Sequence, residues 1–361
     1  MTVTPGERRH HQPVYPVSTT QDIVAQGIES MDASKFFAAI SITLLVTPAW
    51  AEPALGLPLR CTPGTDCWIA NYVDVDPSEE AADFTCGRQT YDGHKGTDFA
   101  LRDRAAMKGG VDVVAVTDGT VLRARDGMAD EVELSGQRRR QLLKSDRACG
   151  NGIVMDHGDG WQTQYCHLRA GSVAVKPGEA VKAGATLGLV GQSGVAEFPH
   201  VHLAVMKDGR HLDPFTGAAK EDGCGRPQER LWRDPALPIY EPVAIYALGF
   251  ASGEPDFAAL KLDASPPATI DAGAPAMIFW ATMYGLRAGD EVVMEIRDPG
   301  NGVFSGRKID QQRTKARQFY FVGKRARGLK PGTWTGLIRV VRNKDSALAI
   351  EREKRVTVQV R

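Results

Sequence analysis

Residues 175–203 read VKPGEAVKAGATLGLVGQSGVAEFPHVHL. Lys-Pro-Gly and Lys-Ala-Gly steps divide this stretch into short apolar segments, which is typical of β-strands separated by tight turns. We predict strands at Ala185–Val190 and Val201–Met206. Where the second strand begins, His200 and His202 stand two residues apart, so their imidazoles project from the same face of a sheet. The stretch therefore predicts a turn-rich antiparallel sheet that presents two histidines side by side.

Short β segments continue on the N-terminal side of this stretch. Further strands are predicted at Val111–Val116, Gly119–Arg125, Asn151–Asp156 and Trp161–His167. Helical periodicity is best at Arg138–Lys144, within an insertion of mixed charge at residues 123–148. The predicted fold class is all-β, with an N-terminal segment at residues 52–85 and a compact antiparallel β-sheet core at residues 86–220.

A second β region follows a proline-rich linker at residues 221–242. Its predicted strands are Val243–Phe250, Ala276–Tyr284, Glu291–Arg297, Gln318–Val322, Thr333–Val341 and Arg355–Val360. Strands with turns about every 8–12 residues are typical of a β-sandwich of immunoglobulin-like type. We therefore predict an accessory β-sandwich domain at residues 243–361.

An export signal is predicted at Met31–Ala51. A lysine precedes the apolar run Phe36–Val46, and residues 49–51 (Ala-Trp-Ala) have the small-x-small pattern of a signal-peptide cleavage site. The run is too short to span a bilayer comfortably, so no stable membrane insertion is expected after cleavage. The protein is therefore expected to be periplasmic or secreted. Residues 1–30 are polar and lack periodicity, and we predict that they are disordered or lie upstream of a true start at Met31.

The cysteines agree with export, because all six lie after the predicted cleavage site. They are Cys61, Cys67, Cys86, Cys149, Cys166 and Cys224. An even number of cysteines in an exported protein predicts disulfides, although six cysteines allow about fifteen pairings. Local spacing favours Cys61–Cys67 around a Pro-Gly turn and Cys149–Cys166 across a hairpin. Isolated reduced thiols are the alternative.

The charge balance argues against one class of partner. Lys and Arg together number 44, as do Asp and Glu, so the formal net charge is zero. A protein that binds nucleic acid is expected to carry an excess of positive charge. We therefore predict no nucleic-acid partner.

Histidine and aspartate side chains supply a possible set of metal ligands. The segment GHKGTD offers an imidazole, His94, and a carboxylate, Asp98. Taken alone, neither this segment nor the HxH pair of His200 and His202 is specific, since histidines of this kind are commonly exposed or hydrogen-bonded. Together they offer nitrogen and oxygen ligands, and His167 adds another imidazole. Three protein ligands with an open fourth position are typical of catalytic zinc, which activates water and polarises a carbonyl for amide hydrolysis.

The order and spacing of several motifs carry a resemblance to a known family. These motifs are HxxxD at His94–Asp98, a Gly-Asn-Gly hairpin ending in Tyr-x-His-Leu at Gly150–Leu168, VKxGxxVKxGxxLGxVGxSG at Val175–Gly194, PHxH at Pro199–His202, and Asp213-Pro214. Over residues 86–216 the chain resembles the lysostaphin-type (LytM-like) zinc metalloendopeptidases, which act on peptidoglycan.

The resemblance implies a role for each polar residue of the site. It implies that His94, Asp98 and His202 ligate Zn²⁺. It also implies that His167 and His200 are catalytic without being ligands, assisting the deprotonation of water and stabilising the transition state. The implied substrates are the stem or cross-link peptides of peptidoglycan, and the implied fold is a lysostaphin-like β core with the site in a groove across one sheet.

Some features depart from the family pattern and leave alternatives open. The loop at residues 192–198 differs from the usual glycine-rich Ser/Thr loop, and Ala204 stands where glutamate is common. The insertion at residues 123–148 is placed to cover or narrow the groove. A catalytically silent wall-binding or hydrolase-activating module of the same fold is the alternative function, and a non-hydrolytic metal-binding β-barrel is a weaker one. Retention of His167 favours the enzyme, because a silent module has no need of it.

Overall fold

The structure, a computed structural model, describes residues 53–131, 133–226, 229–233, 240–343 and 349–361. The predicted export signal and the segment upstream of it lie outside these residues, as does part of the predicted linker. The described residues all belong to one structural unit. A domain boundary within the linker stays a prediction.

The strands of the N-terminal half form one large and one small antiparallel sheet. The strands are β1 (Cys67–Asn71), β2 (Thr97–Leu101), β3 (Asp112–Val114), β4 (Gly119–Arg125), β5 (Asn151–Asp156), β6 (Trp161–Leu168), β7 (Ala180–Val181), β8 (Thr186–Leu189), β9 (His200–Lys207) and β10 (Arg210–Leu212). The large sheet has the order β1-β2-β9-β6-β5-β4-β7, and β10 also pairs with β9. β3 and β8 form the small sheet. The predicted antiparallel core is therefore confirmed.

The alternation of side chains along β9 decides which of its faces enters the core. Val201, Leu203 and Val205 are at most 1% exposed and join the main core together with side chains of β5 and β6. Full burial of one aliphatic side chain contributes about 1.5–3 kcal/mol. Because successive residues of a strand point to opposite faces, this burial directs His200 and His202 to the other face of the sheet.

Among the described residues, two short α-helices lie between strands of the N-terminal half, and a third, α3 (Phe257–Leu262), follows the first strand of the C-terminal half. Helix α1 (Arg104–Gly109) has six residues, too few to produce a periodic pattern, and it was not predicted. Helix α2 (Gly136–Lys144) lies in the insertion between β4 and β5 and confirms the helix predicted there. The Ser135 hydroxyl caps α2 by accepting a hydrogen bond from a backbone N–H of the first turn. Leu142 is the side chain that α2 buries.

Three disulfides link the cysteines. Cys61–Cys67 and Cys149–Cys166 confirm the pairs predicted from local spacing. Cys86–Cys224 joins residues 138 positions apart, a separation that gives no local signal in the sequence. In the chain-entropy account, closing a loop of that length stabilises the folded state by about 5 kcal/mol.

The C-terminal half consists of two sheets around a second core. Its strands are β11 (Ala244–Ala251), β12 (Thr269–Ile270), β13 (Ala276–Leu286), β14 (Glu291–Arg297), β15 (Val303–Asp310), β16 (Lys315–Arg325), β17 (Gly332–Arg342) and β18 (Ile350–Val360). The sheet orders are β11-β13-β16 and β12-β18-β17-β14-β15. Buried side chains of both sheets form one cluster, as expected of a sandwich. The edge strand β15 was not predicted, because its side chains are mostly exposed and show no alternation.

The two halves share a third cluster of buried side chains. Trp68 and Ala100 of the first half pack with Tyr246, Trp280 and Tyr284 of the second. The Tyr284 hydroxyl also donates a hydrogen bond of 3.3 Å to the carbonyl of Leu101, at the end of β2. The C-terminal sheet β11-β13-β16 therefore packs against strands β1 and β2, at one edge of the large sheet. Among the described residues, no helix is long and apolar enough to cross a membrane.

One buried carboxyl makes the stability of the fold depend on pH. Asp213 is fully buried just after β10, and its Oδ1 accepts hydrogen bonds from the Phe215 N–H and the Thr216 hydroxyl. Its Oδ2 has no hydrogen-bond partner within the described residues. Burial raises the pKa of Asp213 to about 7, because the charged form loses its hydration.

We predict that replacing Asp213 with asparagine removes part of this pH dependence. The folded-state pKa is above that of the unfolded chain, so the stability contributed by the protonated carboxyl is fully present below about pH 4 and is lost as the pH rises towards 7. The loss amounts to at most about 4 kcal/mol, at 1.36 kcal/mol per pKa unit. Urea unfolding of the metal-free protein at several pH values measures it. Equal slopes for wild type and Asp213→Asn between pH 4 and 7 would contradict the assignment.

Candidate metal centre

Three side chains, two from the large sheet and one from the loop before β2, converge on one point. His94 lies in the loop before β2, Asp98 lies in β2, and His202 lies opposite Asp98 in the neighbouring strand β9. Asp98 Oδ1 is 3.1 Å from His94 Nε2 and 2.8 Å from His202 Nδ1. The two histidine nitrogens are 3.1 Å apart. These atoms form a group close enough to share one metal ion.

Hydrogen bonds orient two of these side chains toward the common point. His94 Nδ1 donates to the carbonyl of Tyr72 at 2.6 Å, since a carbonyl can only accept, and this leaves Nε2 free to act as a ligand. The Asn71 amide donates to Asp98 Oδ2 at 2.8 Å, so Oδ1 is left for the cluster. Partners of this kind behind a metal ligand fix its tautomer and its direction.

The donor atoms suit a zinc ion in both type and spacing. Bonds of about 2.0–2.1 Å in a tetrahedral site place ligand atoms about 3.3–3.4 Å apart, close to the spacing of this cluster. Two imidazole nitrogens and one carboxylate oxygen form a ligand set that zinc accepts. His94 and Asp98 are each 3% exposed, so an unpartnered lone pair there would be costly. The residues present therefore fit a divalent cation such as Zn²⁺.

The charges of the cluster favour a cation as well. Burial by itself would raise the pKa of Asp98, but the imidazoles of His94 and His200 and the hydrogen bonds from the cluster hold it well below its usual range. Burial lowers the pKa of His202 and outweighs the attraction of Asp98. The ionised carboxylate and the neutral His202 imidazole are the states that a metal requires of such ligands. Burial lowers the pKa of His94, but the charge and hydrogen bond of Asp98 outweigh it and raise this pKa, so a metal would displace a proton from the His94 ring.

Two further histidines face the cluster without belonging to it. His167 Nδ1 donates to the carbonyl of Ser193, and His200 Nδ1 donates to the carbonyl of Phe198, each at 2.8 Å. Both rings therefore keep Nε2 as an acceptor. Their centroids are 4.6 Å apart, and His200 Nε2 is 3.7 Å from Asp98 Oδ1. The two rings form one wall beside the candidate metal position.

His167 is held in an unusual backbone conformation. Its φ is 65°, in the left-handed region that costs a non-glycine residue some strain. Its N–H donates to the carbonyl of Cys149 at 2.8 Å, and the neighbouring residue Cys166 is bonded to Cys149. Burial and the nearby His200 and His202 hold the pKa of His167 well below its usual range, so its imidazole is neutral.

A comparison with protein families agrees with this geometry. Residues 92–214 match the model of peptidase family M23. This part of the chain is an M23 (LytM-like) domain. The match lies within the region over which the sequence motifs resemble lysostaphin-type peptidases, and that resemblance is confirmed.

Proteins named as a metalloprotease or as peptidoglycan DD-endopeptidases are similar to part of this chain. An uncharacterized metalloprotease of Haemophilus influenzae is 29% identical over 34% of this chain and 20% of its own length. The peptidoglycan DD-endopeptidases ShyA and ShyC of Vibrio cholerae are 31% and 30% identical, over 33% and 34% of this chain and 22% and 28% of their own lengths. The chain therefore spans less than a third of the length of each of these relatives.

Solved structures give weaker matches. The catalytic domain of lysostaphin from Staphylococcus simulans is 26% identical, with a TM-score of 0.25, over 34% of this chain and 75% of that one. A zinc-containing peptidase from Vibrio cholerae is 24% identical, with a TM-score of 0.25, over 39% of each chain.

The M23 domain brings together all the residues that the sequence singled out. His94, Asp98 and His202 form the cluster, and His167 and His200 stand beside it. The roles assigned to them stay predictions. The sequence did not indicate the supporting groups, which are the Asn71 amide and the carbonyls of Tyr72, Ser193 and Phe198. Every residue has a backbone carbonyl, so the sequence does not indicate which carbonyls accept these hydrogen bonds. Asn71 lies in a segment with no recognised motif.

The C-terminal sheets contribute to the surroundings of the M23 site. The Phe198 ring packs against the His200 ring, with centroids 4.8 Å apart, and against Tyr284 of β13 at 5.4 Å. Tyr284 in turn stacks on Tyr246 at 4.3 Å. The loop whose carbonyl orients His200 is therefore held from behind by the second half of the chain.

Gly96 is required by the close approach of the cluster, and we predict that Gly96→Ala weakens metal binding. A Cβ at this position would lie 2.6 Å from both His202 Nε2 and the Leu203 carbonyl, so the His202 ring or its strand has to shift. Displacing a ligand support in this way typically costs about 10–100-fold in metal affinity. Competition with a chromogenic zinc chelator measures the change.

Gly109→Ala is the matched control for that experiment. A Cβ at Gly109 meets no atom within 4 Å, so its zinc affinity should equal that of wild type. Unchanged zinc affinity in Gly96→Ala would show that His202 is not a ligand in the arrangement described.

Proposed function

We propose that the M23 domain is a zinc endopeptidase that hydrolyses amide bonds in the stem or cross-link peptides of peptidoglycan. The observation that carries this proposal is the convergence of His94 Nε2, Asp98 Oδ1 and His202 Nδ1 within 3.1 Å of one another. The names of the relatives ShyA and ShyC, peptidoglycan DD-endopeptidases, support the substrate class.

Three side chains are available as ligands, the number typical of a catalytic zinc site. When bound there, zinc supplies an electrophile for the scissile carbonyl and lowers the pKa of an attacking water. His94, Asp98 and His202 would hold the ion, and hydrogen bonds with the Tyr72 carbonyl and the Asn71 amide keep the donor atoms of His94 and Asp98 in place.

His167 and His200 are the groups that transfer the proton of the attacking water. Because Nδ1 of each ring donates to a backbone carbonyl, Nε2 of each ring is free to accept a proton from the attacking water. The ring that takes the proton then becomes a donor, and it stabilises the oxyanion or passes the proton to the leaving amine. The lowered pKa of His167 keeps this ring unprotonated at neutral pH.

Action outside the cytoplasm is part of the proposal. The three disulfides support an oxidising compartment, since glutathione and thioredoxin keep cytosolic thiols reduced. Peptidoglycan also lies in that compartment. The predicted export signal would deliver the chain there.

The proposal predicts different failures for a ligand and for a base. Purified sacculi are incubated with the zinc-loaded protein, and released muropeptides are separated by chromatography. His202→Ala should lose both zinc and release. His167→Ala should keep zinc and lose activity about 100-fold or more, the range expected for a general base. A chelator should abolish release by the wild type.

His157→Gln serves as the matched histidine control. His157 lies away from the cluster, where it contacts the Asp118 carbonyl and the Thr163 hydroxyl, so release should stay at the wild-type level. If zinc-loaded wild type binds sacculi but releases no peptide, the catalytically silent module is the better assignment.

A further inference from the structure

A cavity of about 460 Å³ opens on the same sheet face as the metal cluster. Strand pairing establishes the common face, since residues directly opposite in neighbouring strands point the same way. Ala204 of β9, two residues from His202, lies opposite Gln164 of β6. Gln164 lies opposite Val154 of β5, which lies opposite Arg123 of β4. Gln164, Val154 and Arg123 all line the cavity.

The distance from cluster to cavity matches a short peptide. The row from β9 to β4 crosses three strand spacings of about 4.8 Å each, or about 14 Å in all. An extended peptide covers about 3.3–3.6 Å per residue, so about four residues span this distance. A substrate held at the metal and extended across the strands would therefore place its fourth residue at the cavity.

Two arginines give this cavity its charge. Within the described part of the chain, no carboxylate lies within 4.0 Å of either Arg123 or Arg125, and the exposed Arg123 has no hydrogen-bond partner. Arg125 is half-buried, and its Nε donates to the Gly150 carbonyl at 2.6 Å, which orients the guanidinium. Asp146 also lines the cavity, so the cavity keeps a net charge of one positive unit.

A second cavity shows how cations elsewhere near the cluster are neutralised. It measures about 290 Å³ and borders His94. Its Arg210 lies 3.4 Å from Glu221, and its Lys220 lies 2.7 Å from Asp74. Its Lys95 offers a point charge on a flexible stem and lacks the planar fork of an arginine. Arg123 and Arg125 are therefore the better-suited pair for a planar anion.

We propose that Arg123 and Arg125 form a subsite for a carboxylate of the bound peptide, about four residues from the bond at the metal. The inference rests on the proposed function, because it takes the metal cluster as the reacting end of the groove. A guanidinium binds a carboxylate through two parallel N–H···O bonds, which makes Arg the preferred residue for this recognition. The uncharged floor of Gly152, Val154 and Gln164 leaves the guanidinium groups as the cations that face the ligand.

The test compares one ligand in two charge states. The probe is a cross-linked stem-peptide dimer released from sacculi, with its carboxylates intact or converted to amides. Binding is measured by calorimetry on the zinc-loaded full chain carrying His167→Ala, which prevents turnover. Arg123→Gln should raise the Kd of the carboxylate dimer about tenfold, as expected for loss of a hydrogen bond to a charged group. It should change the Kd of the amidated dimer by less than about twofold, since the lost interaction is absent there.

Companion variants separate this interaction from general charge and from unfolding. Arg125→Gln should act in the same direction as Arg123→Gln. Arg307→Gln, an equal charge change on the exposed strand β15, should leave both values of Kd unchanged. Thermal unfolding of each variant confirms that the fold is kept.

The outcomes distinguish this inference from the function on which it rests. The subsite is overturned if the arginine variants lose equal affinity for the carboxylate and the amidated dimer. It is also overturned if neither variant loses affinity for the carboxylate dimer, or if the protein binds neither dimer. Peptide release from sacculi by the active protein is scored separately. Release without charge-dependent binding leaves the endopeptidase standing and removes the subsite, whereas charge-dependent binding without release does the reverse.

Discussion

The register between β2 and β9 is the constraint on which the site depends. Asp98 lies directly opposite His202, and this pairing brings a carboxylate and an imidazole within 2.8 Å. A slip of one residue would turn every side chain of β9 to the other face of the sheet. The buried side chains Val201 and Leu203 prevent such a slip, because it would remove them from the core and place polar imidazoles there instead. The same packing that stabilises the core therefore determines which residues of β9 face Asp98 as candidate ligands.

The second requirement is a set of backbone carbonyls. Those of Tyr72, Ser193 and Phe198 each accept the Nδ1–H of one histidine and so determine which nitrogen faces the cluster. Because these carbonyls belong to loops, their positions depend on what holds the loops. The disulfide Cys149–Cys166 lies beside His167, and aromatic side chains of the C-terminal sheet pack behind Phe198. The accessory half of the chain thus takes part in the geometry of the M23 domain.

Much of this arrangement could be predicted from the sequence, and the exceptions have physical reasons. Strands such as β6 and β9 were predicted, because buried side chains alternate along part of each strand. Strand β15 and helix α1 were missed, because an exposed edge and a single short turn of helix produce no periodic pattern. The five polar residues of the site are of recognisable types at recognisable spacings. Their supports are a distant asparagine and main-chain groups, which only the folded chain brings close.

Long-range links form the other class of exception. Cys86–Cys224 joins two segments 138 positions apart. At that separation no local pattern distinguishes this pairing from the others that six cysteines allow. The contact of Tyr284 with Phe198 likewise depends on how the two halves pack. Local patterns reveal which surfaces must be buried but not which distant surface covers them.

Anomalous diffraction at the zinc absorption edge, on crystals of the zinc-loaded protein, tests the central claim most directly. The account predicts one peak per chain, at about 2.0–2.2 Å from each of His94 Nε2, Asp98 Oδ1 and His202 Nδ1. It also predicts that His167 and His200 remain outside bonding distance of the metal. A peak elsewhere, or a closed site in which a fourth side chain completes the coordination, would contradict the account.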